Sequence, residues 1–172
     1  MVELSQGLTA TARIGFFISR YNAYRFDSRK EDDRSIRRCL MERLNSAKNH
    51  ATNVLDQANR IDNRELRNHI KQTIDAIDIF KNDSNLAETG HKRPFFSSES
   101  AASVKSLQKL IEFDATVLEK TERAVKALNE LERAVAAEEK EVTKAAGNIR
   151  AAITAAHNHF SERIRFIKGF GD

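Results

Sequence analysis

Histidine and cysteine are the residues of this 172-residue chain with the greatest potential for metal binding or nucleophilic chemistry, and it has five histidines and one cysteine. His157 and His159 are two residues apart, a spacing that on a helix puts their side chains about 200° apart, so they cannot bind one ion together. Di-iron bundles need two Glu-x-x-His pairs. The chain has one match, Glu88 to His91, with Gly90 inside it. We therefore expect no metal and no cofactor.

Cys39 follows two arginines, and neighbouring cations lower the pKa of a thiol and make it reactive. The alternative is an inert, half-buried cysteine on the flank of a helix. The sequence has no Gly-rich phosphate loop, no Gly-x-Ser-x-Gly motif and no zinc-type cysteine pair. Most carboxylates alternate with Lys and Arg at helical spacing, which is typical of a solvent-exposed helix face. These features predict a protein that is not an enzyme and has no small-molecule substrate.

The most unusual segment is ARIGFFISRYNAYRF, residues 12–26, which holds both tyrosines and three of the ten phenylalanines. On a helical wheel its apolar side chains fall in one arc with arginines beside it, which predicts an amphipathic helix over residues 3–27 of an N-terminal region 1–30. This helix has three candidate roles: packing into the core or an oligomer interface, docking on an anionic membrane surface, or contacting nucleic acid. The candidate interaction surface comprises Arg13, Phe17, Ile18, Arg20, Tyr21, Tyr24 and Arg25.

A loop is predicted over residues 83–98, where Asn, Asp, Ser, Gly and the single proline are concentrated. It contains the motif GHKRPFF, in which cations and aromatic rings lie side by side. Such a loop contacts a protein partner or nucleic acid, or it is an exposed connection whose rings cover the end of a bundle. The candidate contacts are His91, Lys92, Arg93, Phe95 and Phe96.

Apolar stripes of helical period cover most of the remaining chain. Residues 33–82 form two stripes whose phase changes near Asp62, where Asp62 and Glu65 have the form of a capping box. This favours a kink or short break near Asp62, and one continuous helix is the alternative. Asp32 or Asp33 is a candidate N-cap for the first helix. Residues 99–169 are predicted to be one long helix or two, with a bend near Gly147. Alanine makes up half of residues 145–156, which predicts close helix packing. Its candidate residues are Ala145, Ala146, Gly147, Ala152 and Ala156.

The composition agrees with an all-α fold, since 40% of the residues are hydrophobic, 31% are charged, and there are six glycines and one proline. We predict a single domain, an antiparallel bundle of four or five helices with a long C-terminal helix, straight or bent. The net charge of +4 is small for a nucleic-acid binder. A single cysteine and the lack of a signal peptide or a 20-residue apolar run favour a soluble cytoplasmic protein.

The sequence thus favours a non-enzymatic helical interaction module, a cytoplasmic adaptor or scaffold that binds a protein partner and self-associates, most simply as a dimer. Two alternatives stay open. One is a peripheral membrane protein that uses the basic and aromatic N-terminal helix, and the other is a nucleic-acid-binding accessory protein.

Overall fold

Five α-helices contain most of the residues that the computed structural model of the chain describes, namely 8–86, 103–139 and 141–168, without the side chain of Phe26. Strands are absent from these ranges. The helices are α1 (Ala10–Gly15), α2 (Arg29–Arg60), α3 (Arg64–Leu86), α4 (Val104–Ala136) and α5 (Val142–Lys168), and a single 3-10 turn, Phe26–Ser28, precedes α2. The predicted all-α class and helix number are confirmed.

Helices α2 to α5 form a four-helix bundle in which consecutive helices run antiparallel, and α1 packs on α4. Polar contacts give the direction of α2 relative to α4 and of α3 relative to α5. In each of these two pairs, a contact at a higher residue number on one helix is also at a higher residue number on the other. These contacts are Arg43–Glu122 and His50–Glu132 between α2 and α4, and Gln72–Arg150 and Asp83–His157 between α3 and α5. Thus α2 is parallel to α4, and α3 is parallel to α5.

The core consists of the stripes that the helical period predicts. In α2 the fully buried apolar side chains recur at intervals of three or four residues: Ile36, Leu40, Leu44, Ala47, Ala51, Val54 and Ala58. Burial of each Leu or Ile contributes roughly 1.5–3 kcal/mol. Tertiary packing of these stripes, more than helix propensity, therefore stabilises the helices.

The predicted break near Asp62 is confirmed, but the capping residue is different. The Asn63 side-chain oxygen accepts a hydrogen bond from the Leu66 N–H at 3.0 Å, so Asn63 is the N-cap of α3. Asp62 has a φ of 50° and forms an ion pair with Arg67 at 2.9 Å. Its left-handed backbone takes the chain out of α2, so it cannot also cap α3 as the capping box predicted.

The C-terminal region is two helices, and the bend predicted near Gly147 is wrong. The chain turns between the end of α4 at Ala136 and the start of α5 at Val142, and Glu138 and Glu141 have φ values of 55° and 71°. No large apolar side chain lies between Val135 and Val142, so a continuing helix would have nothing to bury there. Gly147 lies inside α5, because one glycine costs a helix only about 1 kcal/mol.

The N-terminal region departs most from the prediction. Among the described residues of 3–27, only 10–15 are α-helical, and Ala23 and Tyr24 have φ values of 54° and 56°. Asp32 explains the difference, because its carboxylate accepts hydrogen bonds from the N–H groups of Asn22 at 3.0 Å and Tyr24 at 2.8 Å. The predicted role of Asp32 or Asp33 as N-cap of α2 is also wrong. Helix α2 begins at Arg29, so both residues lie inside it.

The predicted loop over residues 83–98 is only partly described. Helix α3 continues to Leu86, so the first four residues of the predicted loop, 83–86, are helical. The other residues of that loop, and the start of the region 99–169, lie outside the described residues.

Candidate functional site

The N-terminal segment is held on the side of the bundle formed by α2 and α4. The guanidinium of Arg13 donates two hydrogen bonds of 2.8 Å to Glu119 and one of 3.1 Å to Glu112. Hydrogen bonding to Arg13 lowers the pKa of Glu119 and raises that of Arg13. Arg13, which the sequence placed on an interaction surface, is therefore paired within the chain.

The other residues of the predicted N-terminal surface divide into three environments. Phe17, Ile18 and Tyr21 are half-buried, and Phe17 lies under the guanidinium of Arg43 at 5.3 Å. Tyr24 is only 1% exposed. Two cations remain exposed: Arg20 and Arg25. The structure thus does not bring these residues together as one exposed surface, because the segment packs on the bundle through its aromatic rings.

A buried polar cluster fixes the end of this segment. The Tyr24 hydroxyl donates to Asp114 at 2.5 Å and accepts from Arg163 at 3.0 Å. Arg163 also donates to Asp114 and, at 2.7 Å, to Asp33. Burial raises the pKa of Asp114 against the opposing effect of Arg163. Burial lowers the pKa of Arg163, but its interactions with Asp114, Tyr24 and Asp33 together outweigh this effect and raise the pKa well above its ordinary value.

This cluster is a structural element. Its four side chains are at most 5% exposed, so a substrate has no access to them, and the salt bridge neutralises charges that would be costly if unpaired. Sequence reasoning missed Asp114 and Arg163. The available signal was their position, since Asp114 lies between Leu110 and Leu118 on an apolar stripe.

The outer face between α4 and α5 contains an open groove of about 970 Å³ next to the turn that joins these two helices. Its apolar lining is mostly alanine: Ala127, Leu131, Ala134, Ala145, Ile149 and Ala152. Charged residues of both signs form its rim: Arg123, Glu130, Arg133, Glu139, Glu141 and Lys144. We call this the alanine groove. A hollow of small side chains leaves room for larger side chains of a partner.

Farther from the turn, large rings fill the space between the same two helices. The ring of Phe113 lies 5.6 Å from that of Phe166 and 5.1 Å from that of His159. The Lys109 ammonium lies 5.0 Å from the centre of the Phe166 ring. Burial lowers the pKa of His159, so its ring is mainly neutral at pH 7. We call this the aromatic end, and together with the alanine groove it forms the α4/α5 face.

The residues predicted to pack closely belong to both the core and this face. Ala146 and Ala156 are buried in the bundle, as close packing requires. Gly147 faces His69 of α3. Ala145 is exposed and Ala152 half-buried, and both line the alanine groove. The other predicted contacts, His91, Lys92, Arg93, Phe95 and Phe96, lie outside the described residues.

Cys39 is not activated. It is 6% exposed, and its sulfur lies 4.0 Å from the Phe17 carbonyl oxygen. Burial raises the pKa of its thiol more than the nearby Arg43 lowers it. Of the two alternatives that the sequence left open, the structure supports the inert cysteine packed on the flank of a helix.

Two features of the described residues concern the metal and membrane hypotheses. Within ranges 8–86, 103–139 and 141–168, no group of three or more His, Cys, Asp or Glu side chains is arranged to hold a metal ion. In the same ranges, the helices lack the combination of length and apolar character needed to cross a membrane.

The chain was compared with families, curated proteins and structures. No family model, no curated protein and no solved structure matches it.

Proposed function

We propose that this protein is a non-enzymatic helical interaction module, a cytoplasmic scaffold that self-associates through the α4/α5 face. The observation that carries this proposal is the alanine groove, an open apolar surface with a charged rim. Protein interfaces share this organisation, with an apolar centre and a polar margin. A lining of alanine also loses little side-chain entropy when a partner covers it.

The position of α1 supports this choice of face. Helix α1 packs on α4 and is tied to it by Arg13 and Glu119, so the chain covers the α2/α4 side of the bundle with its own N-terminal segment. The alanine groove lies on the other side of α4, where Ala127 and Leu131 approach α5. A partner on the α4/α5 face therefore does not compete with α1.

The test is the molar mass in solution, measured by light scattering on a sizing column over a range of concentrations. We expect a dimer for the wild type and a monomer for Ala145→Arg, which puts a long charged side chain into the groove. Thr154→Arg is the control, because Thr154 is an exposed residue of α5 outside the groove. It lies one turn from Arg150, which bonds Gln72 of α3, so it is on the side of α5 away from α4. A wild-type monomer at every concentration, or equal dimerisation of both variants, would refute the proposal.

A peripheral membrane protein is the second candidate, and one observation favours it. The side chain of Phe16 is 76% exposed, and exposed Arg20 and Arg25 follow it. Aromatic rings with neighbouring cations suit an anionic lipid surface. Sedimentation with phosphatidylserine vesicles tests this, and we expect Phe16→Ser to abolish binding. Wild-type protein that stays in the supernatant would exclude this candidate.

A further inference from the structure

We propose that the partner on the α4/α5 face is a second copy of this chain in antiparallel orientation, with α4 against α4 and α5 against α5. The inference rests on the proposed function and adds the register and direction of the dimer. Shape, charge and area on this face each support it.

Shape favours the antiparallel direction. The two ends of the face are unlike, since one is an alanine-lined hollow and the other is filled by the rings of Phe113 and Phe166. An antiparallel copy places the aromatic end of each chain against the alanine groove of the other. A parallel copy places hollow against hollow and leaves a void, which forfeits packing contacts on both surfaces.

Charge on α4 gives the register. Glu130 is on the rim of the alanine groove, and Lys120 is close enough to His159 to lower the pKa of that ring, so both lie on the α5 side of α4. Neither forms an ion pair within the described part of the chain. In an antiparallel dimer centred between them, Lys120 of each copy meets Glu130 of the other, and the pair forms twice.

Charge on α5 gives the same register independently. Lys144 is on the rim of the groove, and Glu162 is paired with His159 at 3.3 Å, at the aromatic end. The antiparallel copy brings Lys144 of one chain to Glu162 of the other. This second pair also forms twice, on a different helix.

The two pairs place the two-fold axis at one height. The midpoint of positions 120 and 130 is position 125 of α4, and the midpoint of 144 and 162 is position 153 of α5. Asp114 and Arg163 are in contact and so lie at one level. Toward the turn between α4 and α5, position 125 is eleven residues from Asp114 along α4, and position 153 is ten residues from Arg163 along α5. At about 1.5 Å per residue the two heights agree within about 2 Å.

The face is also large enough for a stable dimer. Helix α5 has 27 residues, which gives a length of about 40 Å. Two adjacent helices with axes 8–10 Å apart are about 20 Å wide. The product, about 800 Å² per chain, equals the area of a standard stable interface.

Charge reversal tests the register through the dimer dissociation constant, measured by analytical ultracentrifugation. We expect Lys120→Glu to raise Kd at least about tenfold, because it places like charges opposite each other twice. Glu130→Lys alone should have the same effect. The double variant Lys120→Glu/Glu130→Lys should return to within about threefold of the wild type. A double variant as weak as the single ones would overturn the register.

Disulfide cross-linking tests the direction without relying on affinity. In a Cys39→Ala background, we expect a chain with Lys120→Cys to cross-link efficiently only when mixed with one carrying Glu130→Cys. Cross-links of each variant with itself would show a parallel dimer and overturn the inference. If the wild type is a dimer but these results fail, only the antiparallel register is wrong. If the wild type is a monomer, the proposed function fails as well.

Discussion

Replacing Tyr24 by phenylalanine removes one hydroxyl from the buried polar cluster and leaves the ring in place. That hydroxyl donates to Asp114 at 2.5 Å and accepts from Arg163 at 3.0 Å. Both partners carry charge in the cluster, and a hydrogen bond to a charged group contributes about 1.5–3 kcal/mol. Because Arg163 still bonds both Asp114 and Asp33 in the variant, we expect a loss of about 2–3 kcal/mol, near one such bond.

The expected change is large enough to measure by thermal unfolding at pH 7. For a protein of this size, Tm falls by about 2–4 °C per kcal/mol, so Tyr24→Phe should lower Tm by about 5–10 °C. The measurement uses equal protein concentrations, since dimerisation raises apparent stability. Trypsin cleavage after Arg20 and Arg25 should also become faster, because the cluster holds the segment that contains them.

Tyr21→Phe is the matched control. The two tyrosine rings are 5.8 Å apart, and the Tyr21 hydroxyl is buried with no hydrogen-bond partner among the residues that the structure describes. Removing an unsatisfied hydroxyl should be neutral or stabilising by up to about 1 kcal/mol. Equal effects of the two substitutions would show that the hydroxyl of Tyr24 has no special role, and the account of the cluster would be wrong.

Three further predictions concern separate parts of the molecule. Gly147→Ala should raise Tm by about 2–4 °C, because the added Cβ makes an ordinary contact of 3.6 Å with His69; a lower Tm in thermal unfolding would indicate a close approach there. Arg13 lowers the pKa of Glu119 from its ordinary value of 4.5, so this pair stabilises the fold above pH 4.5 and its contribution is lost as the pH falls through the lowered pKa. Glu119→Gln should therefore flatten the acid side of a urea-unfolding profile against pH, and an unchanged slope would contradict this. Buried Cys39 should react with Ellman's reagent slowly in buffer and at once in guanidinium, and rapid reaction in buffer would contradict its burial.

The sequence predicted the helices of the bundle because their signal is local. An apolar residue every three or four positions is sufficient to place α2, α3, α4 and α5, whichever helix each of them packs against. The phase change near Asp62 is equally local, and it located the first turn correctly. The second turn carries a weaker signal, since the six residues between Val135 and Val142 include no large apolar residue. The bend was predicted near Gly147 because a glycine is a stronger local sign of a bend than the lack of a large apolar residue.

The N-terminal segment was predicted wrongly because its conformation depends on distant residues. Its helical pattern is genuine on a wheel, but Asp32 takes the N–H groups of Asn22 and Tyr24 that a helix would use. The buried hydroxyl of Tyr24 depends on Asp114, 90 positions away. A pairing of this kind appears only when α4 and the N-terminal segment come together, and no spacing along the chain encodes it.

The charges of α4 show how an interaction face arises from a run that looks uniformly solvated. In LEKTERA, residues 118–124, acids and bases alternate, as on an ordinary exposed helix. In the fold, Glu119 bonds Arg13 of α1, and Glu122 pairs with Arg43 of α2 at 3.2 Å. The packing of α4 against α1 and α2 thus uses these two acids, whereas Lys120 lies toward α5. It follows that the α1 and α2 contacts engage two acids of this run and leave Lys120 without an acidic partner on the α4/α5 face of the described chain, and an antiparallel second copy offers Glu130 to pair with it.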